Sequence, residues 1–405
     1  MSLIIFVMAA CGQSPQSNDL PTATQHLAVT PSSQNQKEII WWDEKAEAIS
    51  NVLFQDKIHV IYTYSDSQNP QNAHLCLFDW QSESSQTLVI SVGEQGQVLD
   101  AVVSGDGQSV VYTVMQWEEP LPTLWAVDTE NGEEKLIASK EALFALRGNF
   151  SRAVPLQLIA LSGTTKILFN TTDMSYAGGG INDLQVIDYK NGDLETVLPA
   201  GEGGQIRLSL DEKYAAIVGP SWLSVLVLST FESRKVLSFE EIATYTSDQK
   251  FFPRPMWDVD SNKFLIAIPS PLPLESDANL SIYQVDADSG SSSLLAVIET
   301  GARVARHVHF SPDRGWVAFT SQENEGHLVR EIQLAKIGTQ EKIVFKAKKD
   351  KSSLVIIAWA DDSSGIVYRD GNKYFFGDIH GKVVDSKKPN QPVELQLPNC
   401  RIQNE

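Results

Sequence analysis

The chain has 405 residues, a formal net charge of -19 and a pI of about 4.8. So acidic a balance argues against a nucleic-acid partner, which calls for a basic face, and against charge-driven docking on anionic lipid. Hydrophobic residues make up 42%, with 9 Trp and 16 Phe, enough for a large core. No apolar run reaches the roughly 18 residues a membrane-spanning helix needs.

Residues 1–10 are apolar and uncharged, and they end in Ala9-Ala10 just before Cys11-Gly12. A short apolar run closed by small residues reads as a secretory signal peptide. Small residues directly before a cysteine resemble the lipobox of bacterial lipoproteins, where that cysteine is lipidated and becomes the mature N-terminus. The resemblance makes Cys11 the lipid-bearing residue. It places the protein in the bacterial cell envelope, on the outer face of a membrane, periplasmic or cell-surface, with the lipid as its only membrane contact. Residues 12–37 contain no aromatic side chain and are rich in Ser, Thr, Gln, Asn and Pro. They cannot bury enough surface to fold, so residues 11–37 form a lipidated cysteine and a flexible tether. The folded domain is expected over residues 38–400.

From about Lys45 the sequence becomes periodic. Asp56, Asp106, Asp211, Asp260, Asp313 and Asp362 each stand six residues before Tyr62, Tyr112, Ile217, Ile266, Phe319 and Tyr368 respectively. Another copy, Leu161–Phe169, lacks the Asp and has a shorter turn. The best-formed copy is His309–Gln322, where Ser311-Pro312-Asp313-Arg314-Gly315 turns the chain between two strands. Seven copies recur at intervals of about 50 residues. Each continues with a third strand, commonly ending in Asp: Leu75–Asp79, Leu124–Asp128, Leu184–Asp188, Leu280–Asp286 and Tyr374–Asp378. A Gly often follows (Gly132, Gly192, Gly290, Gly381), then a fourth strand such as Glu195–Leu198 or Lys342–Phe345. Four short strands per unit at this period predict an all-β fold, a seven-bladed β-propeller of four-stranded antiparallel blades. The strands read as continuous apolar runs, as expected where every sheet is sandwiched between two neighbours.

Trp257-Asp258-Val259-Asp260, Phe310-Ser311-Pro312-Asp313 and Trp359-Ala360-Asp361-Asp362, followed by apolar strands, resemble the Trp/Phe-Ser-Pro-Asp-Gly repeat of TolB-like (WD-type) propellers. The likeness spans roughly residues 45–385. Such repeats specify a fold and little else; the group includes periplasmic scaffolds, the non-catalytic halves of prolyl-oligopeptidase-type peptidases and some lyases. The spare segments Glu38–Trp42 and Val393–Leu397 are candidates to pair across the seam between first and last blades. Cys76 and Cys400 flank that seam, and an exported protein meets an oxidising compartment. They are either a seam-locking disulfide or two unrelated residues.

The longest loops, Thr113–Thr123, Ser139–Val154, Thr171–Asn182, Phe239–Arg254 and Ile268–Asn279, share one face of a propeller, opposite the Asp turns. Ligand-binding residues are expected there, around the channel. Arg152, Arg207, Arg254, Arg303 and Arg306 fall just before or within the first strands, which line the channel, and Trp117, Tyr176 and Trp222 fall in nearby loops. Such a set can grip carboxylates of a peptide or an acidic glycan, or its arginines pair with neighbouring Asp and Glu while its aromatics fill the core. His307 and His309, two apart on a strand, point the same way and offer two ligands to a metal, or form a satisfied pair in the inner strand.

No Gly-x-Ser-x-Gly elbow or phosphate-cradling Gly loop is present, and no cofactor is expected. The expected role is non-catalytic: a binding or scaffolding platform for protein, peptide or cell-wall glycan. The alternative is a carbohydrate lyase or hydrolase working in the channel around His307 and His309.

Overall fold

The computed structural model describes residues 39–386, apart from short stretches, chiefly 42–47, 117–120, 147–153, 173–182, 243–251, 273–276, 301–303, 323–328 and 349–352, and a few single or paired positions. The signal, Cys11, the tether, the segment Val393–Leu397 and Cys400 lie outside the described residues. The described chain forms seven antiparallel sheets, six of four strands and one of five, in strict sequence order. It is a seven-bladed β-propeller. Helix is confined to two short pieces, Val92–Gln95 and Lys140–Ala145, the second capped by Ser139.

Two-sided burial explains the unbroken apolar strands. In the second strand of blade 4, Tyr214–Val218, Ala215 and Ile217 face the core shared with blade 3, while Ala216 and Val218 face the core shared with blade 5. In Lys263–Pro269 of blade 5, Phe264 and Ile266 go one way, Leu265 and Ala267 the other. Because side chains alternate along a strand, adjacent residues serve different inter-blade cores. Tyr112, Phe169, Phe264 and Phe319 are fully buried at the centres of these layers.

The Asp turns are built alike. In blade 6 the Ser311 hydroxyl donates to Asp313 Oδ1 (2.6 Å), which also accepts Gly315 N (3.0 Å), while Trp316 N donates to Ser311 Oγ (2.9 Å). Ser104 and Asp106 in blade 2, and Ser209 and Asp211 in blade 4, repeat the arrangement. Burial pushes the Asp106 carboxyl upward, but hydrogen bonds from Ser104, Gln108, Tyr189 and Lys190 outweigh it and hold the pKa at about 2. In the turns between third and fourth strands, beside the Asp turns, Gly132, Gly192, Gly290 and Gly381 adopt φ of +72° to +84° or, for Gly290, +68°, a region only glycine enters freely. The acidic stretches Asp258–Asn262 and Asp286–Gly290 are turns of this sort too. Asp286 Oδ1 accepts both Ser289 N and Ser289 Oγ at 2.8 Å, and Asp258 Oδ2 takes Arg314 Nη1 at 2.9 Å.

Neighbouring blades are stitched by indoles. Trp257 Nε1 donates to Arg207 O, and Trp359 Nε1 to His309 O, each at 3.0 Å and each across one blade boundary. Of the two candidates for the seam, the described one is placed elsewhere. Ile39–Trp41 pairs with Ala48–Gln55, the innermost strand of blade 1, and so adds a fifth strand on the channel side instead of crossing to blade 7. Blade 7 is complete with its own strands Leu354–Trp359, Gly365–Asp370, Lys373–Asp378 and Val383–Asp385. The face of blade 1 turned away from blade 2 is nevertheless covered: Val60, Tyr62, Cys76 and Phe78 are between 0% and 6% exposed. Cys76 is disulfide-bonded; its partner lies outside the described residues.

Phe319→Ala should lower unfolding stability by about 3–5 kcal/mol, since it opens a cavity between blades 5 and 6. Leu294→Ala, on the exposed outer strand of blade 5, should change it by no more than about 0.5 kcal/mol. Denaturant midpoints of the two variants would check the contrast.

Candidate functional site

The first strand of each blade lines the channel, and its path sets what points inward. In five of the seven blades this strand carries a bulge against its partner, between Val52 and Phe54, Val98 and Asp100, Leu156 and Ile159, Arg306 and His309, and Ile356 and Ala358. A bulge inserts one residue and re-aims those beside it. Two bulge residues take left-handed backbone at equivalent places, Gln157 with φ 57° and His307 with φ 49°. Alternation therefore fails across His307–His309, and the two imidazoles are not the simple same-face pair that a regular strand would give.

Three cationic or titratable side chains come together on one side of the channel. Arg207 lies in Gln205–Leu208 of blade 4, Arg254 in the segment entering Met256–Trp257 of blade 5, and His309 in Val304–Phe310 of blade 6. Arg254 links them. Burial lowers the Arg207 pKa to about 10, and the charge of Arg254 adds to the effect. Burial also holds His309 down from 6.5 to about 3, with Arg254 and then His307 repelling its proton. Arg254 itself is lowered by the protein crowded around its guanidinium, yet the residue as a whole is exposed to water. His309 is thus neutral at physiological pH, and two guanidinium charges stand beside it.

No carboxylate among the described residues neutralises Arg207 or Arg254, and Arg207 Nε is buried without a hydrogen-bond partner. The fold does pair arginine elsewhere. Arg314 meets Asp258, and Arg234 Nη2 donates to Ala287 O and Asp288 O at 3.0 and 3.1 Å. Nor is the channel wall without acid. Asp100, fully buried in the bulge of blade 2, accepts Ala101 N at 2.8 Å and Leu158 N at 3.1 Å. That carboxylate is engaged by backbone amides of blades 2 and 3, and not by either channel arginine.

The other sequence candidates fall differently. Trp222 begins the third strand of blade 4, folds over Gly219 so that its ring occupies the place of a side chain there, and packs on the core between blades 3 and 4. Arg306 is placed by its backbone opposite Thr320. Trp117, Arg152, Tyr176 and Arg303 lie outside the described residues. Among the described residues no group of three or more His, Cys, Asp or Glu is arranged to hold a metal. Sequence reading places Trp257 and Trp359 as repeat markers only and misses their part in holding the channel backbone. Their signal was present, a tryptophan three places before the turn Asp in two copies.

No protein-family profile matches the sequence, and no curated protein does. Solved structures match in fold. An oligogalacturonate lyase in complex with manganese is 12% identical over 83% of this chain and 88% of that one, with a TM-score of 0.44. A structure from a study of two prolyl endopeptidases is 12% identical over 85% and 50%, TM-score 0.47. TolB from Acinetobacter baumannii is 15% identical over 84% and 79%, TM-score 0.31. At such identities the likeness extends to the propeller architecture alone.

Removing the Arg254 charge in Arg254→Gln should raise the His309 pKa, read from imidazole proton shifts in an NMR titration. His309 also makes acid destabilising. Between about pH 6.5 and 3 the unfolded chain binds a proton there that the folded channel does not, so stability falls as pH drops through that window. His309→Gln should flatten this limb in denaturation curves measured across the same range.

Proposed function

We propose that the protein is a TolB-like propeller lipoprotein of the bacterial envelope, tethered through Cys11, whose channel face is a non-catalytic binding or scaffolding platform for a protein, peptide or cell-wall glycan. The observation that carries the reading is the channel wall of Arg207, Arg254 and neutral His309, with no acidic partner among the described residues. Charge held in the bore without neutralisation is costly to the folded state and useful only toward something that arrives from outside. The tether agrees in kind, because a flexible segment between lipid and propeller holds a binding face off the membrane. A disulfide at Cys76 fits an oxidising compartment. With Cys11 taken by lipid, Cys400 becomes its partner and fastens the C-terminal segment to blade 1.

A lyase or hydrolase in the channel is the second reading. It is favoured by the neutral imidazole of His309 beside Arg254, a base next to a cation able to polarise a carboxylate. A pKa of about 3 leaves that imidazole a weak base at neutral pH, so binding is placed first.

Metabolic labelling with a fatty-acid analogue should mark the wild-type protein and not Cys11→Ser. Retention of an envelope component by the immobilised full chain should be lost when Arg207 and Arg254 are both changed to Glu. Release of unsaturated products from acidic polysaccharide, dependent on His309, would instead establish the enzyme.

A further inference from the structure

We infer that Arg207, Arg254 and His309 form one oxyanion-binding site on the channel wall of blades 4 to 6, and that the ligand it takes enters the bore with a carboxylate or phosphate group leading. The inference rests on the platform reading above and supplies the chemistry of what is bound.

The geometry argues from three sides. First, position: the inner strands of blades 4 and 6 flank the entry segment of blade 5, so the three residues come from three successive blades, and Arg254 stands near enough to both Arg207 and His309 for its charge to act on each. The two indole bonds, Trp257 to the Arg207 carbonyl and Trp359 to the His309 carbonyl, fix the backbone at the outer members of the trio. A site whose donors are held by rigid strands needs little reorganisation to bind. Second, unspent capacity: Arg207 Nε is a charged donor, buried and without a partner. Guanidinium forks match the two oxygens of a carboxylate or a phosphate. An oxyanion between Arg207 and Arg254 would satisfy that donor and turn their mutual repulsion into shared attraction. Third, the neutral imidazole: His309 carries one N–H donor without a third charge, so it can hydrogen-bond the same anion without adding to the repulsion between the two arginines.

One consequence separates this assignment from a structural role for the arginines. If they held the fold together, removing them would weaken it. If they serve an anion, removing an unneutralised charge relieves the free protein, the usual trade between stability and function. Arg207→Gln and Arg254→Gln in the full chain, in low-salt buffer, should therefore melt at the wild-type temperature or above it without added anion.

Two probes, the dicarboxylate succinate and inorganic phosphate, would be titrated by calorimetry and by thermal shift. The wild-type chain should bind at least one and melt higher with it. Each single variant should lose about tenfold or more in affinity, as expected for a charge-assisted hydrogen-bonding partner. Preference for succinate assigns a carboxylate, and preference for phosphate assigns a phosphoryl group. Binding of neither probe by the wild-type chain overturns the site, as does binding undiminished in both variants, or a marked fall in melting temperature of both variants without anion. If the wild type ignores both probes yet still retains its envelope component, the oxyanion site is wrong and the platform stands. If it binds a probe but retains nothing, the site stands and the platform reading falls.

Discussion

Each sheet of this protein has two apolar faces and no face of its own to spare for water. A blade that buried only one would leave a row of Val, Leu, Ile and Phe exposed, several kcal/mol of hydrophobic free energy for each layer at about 25 cal/mol per Å². The only arrangement that satisfies every blade at once is one in which each is flanked on both sides. The described cores follow this rule, passing from one pair of neighbouring blades to the next along the chain. The turns, the stitching indoles and the channel all follow from that single demand, because flanking on both sides bends the row of sheets into a ring and leaves its inner strands around a bore.

The bore is where the rule of satisfaction is relaxed. In the turns, aspartates are met by hydroxyls and amides, and Arg314 is met by Asp258. In the channel wall, Asp100 is met by backbone donors of two blades. At Arg207 and Arg254 the described channel wall holds two guanidinium charges with no carboxylate set against them. Local inconsistency inside an otherwise consistent structure is where function is most often found. Here it lies at the surface that the architecture makes concave.

The fold was legible because it is periodic. Asp106, Asp211, Asp313 and Asp362 announced their turns, and third strands such as Leu184–Asp188 stand where their closing Asp put them. The first strand was less legible. Glu38–Trp42 is apolar enough to be a strand, but nothing in it names its partner, and Ile39–Trp41 took the inner edge of blade 1. The site was legible only as a set of residue types. Arg207, Arg254 and His309 are far apart in the chain and meet because three blades turn them onto one wall. The bulge at His307 was invisible, since a histidine carries no mark of the left-handed backbone that it adopts there. Trp222 shows the converse: its loop position suggested exposure, yet a glycine three residues earlier left room for the ring to fold inward.

Among the described residues the first and last blades exchange no strand, and this has a bearing on how the protein is made. Every described blade consists of consecutive residues, so a nascent chain can complete the sheets one after another, each new one shielding the last. One surface gains nothing from this order. The outer side of blade 1, with Val60, Tyr62, Cys76 and Phe78, is synthesised early and is not what blade 2 covers. It must stay bare until distant sequence arrives, which makes it the natural hold for a folding helper and the place where a truncated chain would first stick to its fellows.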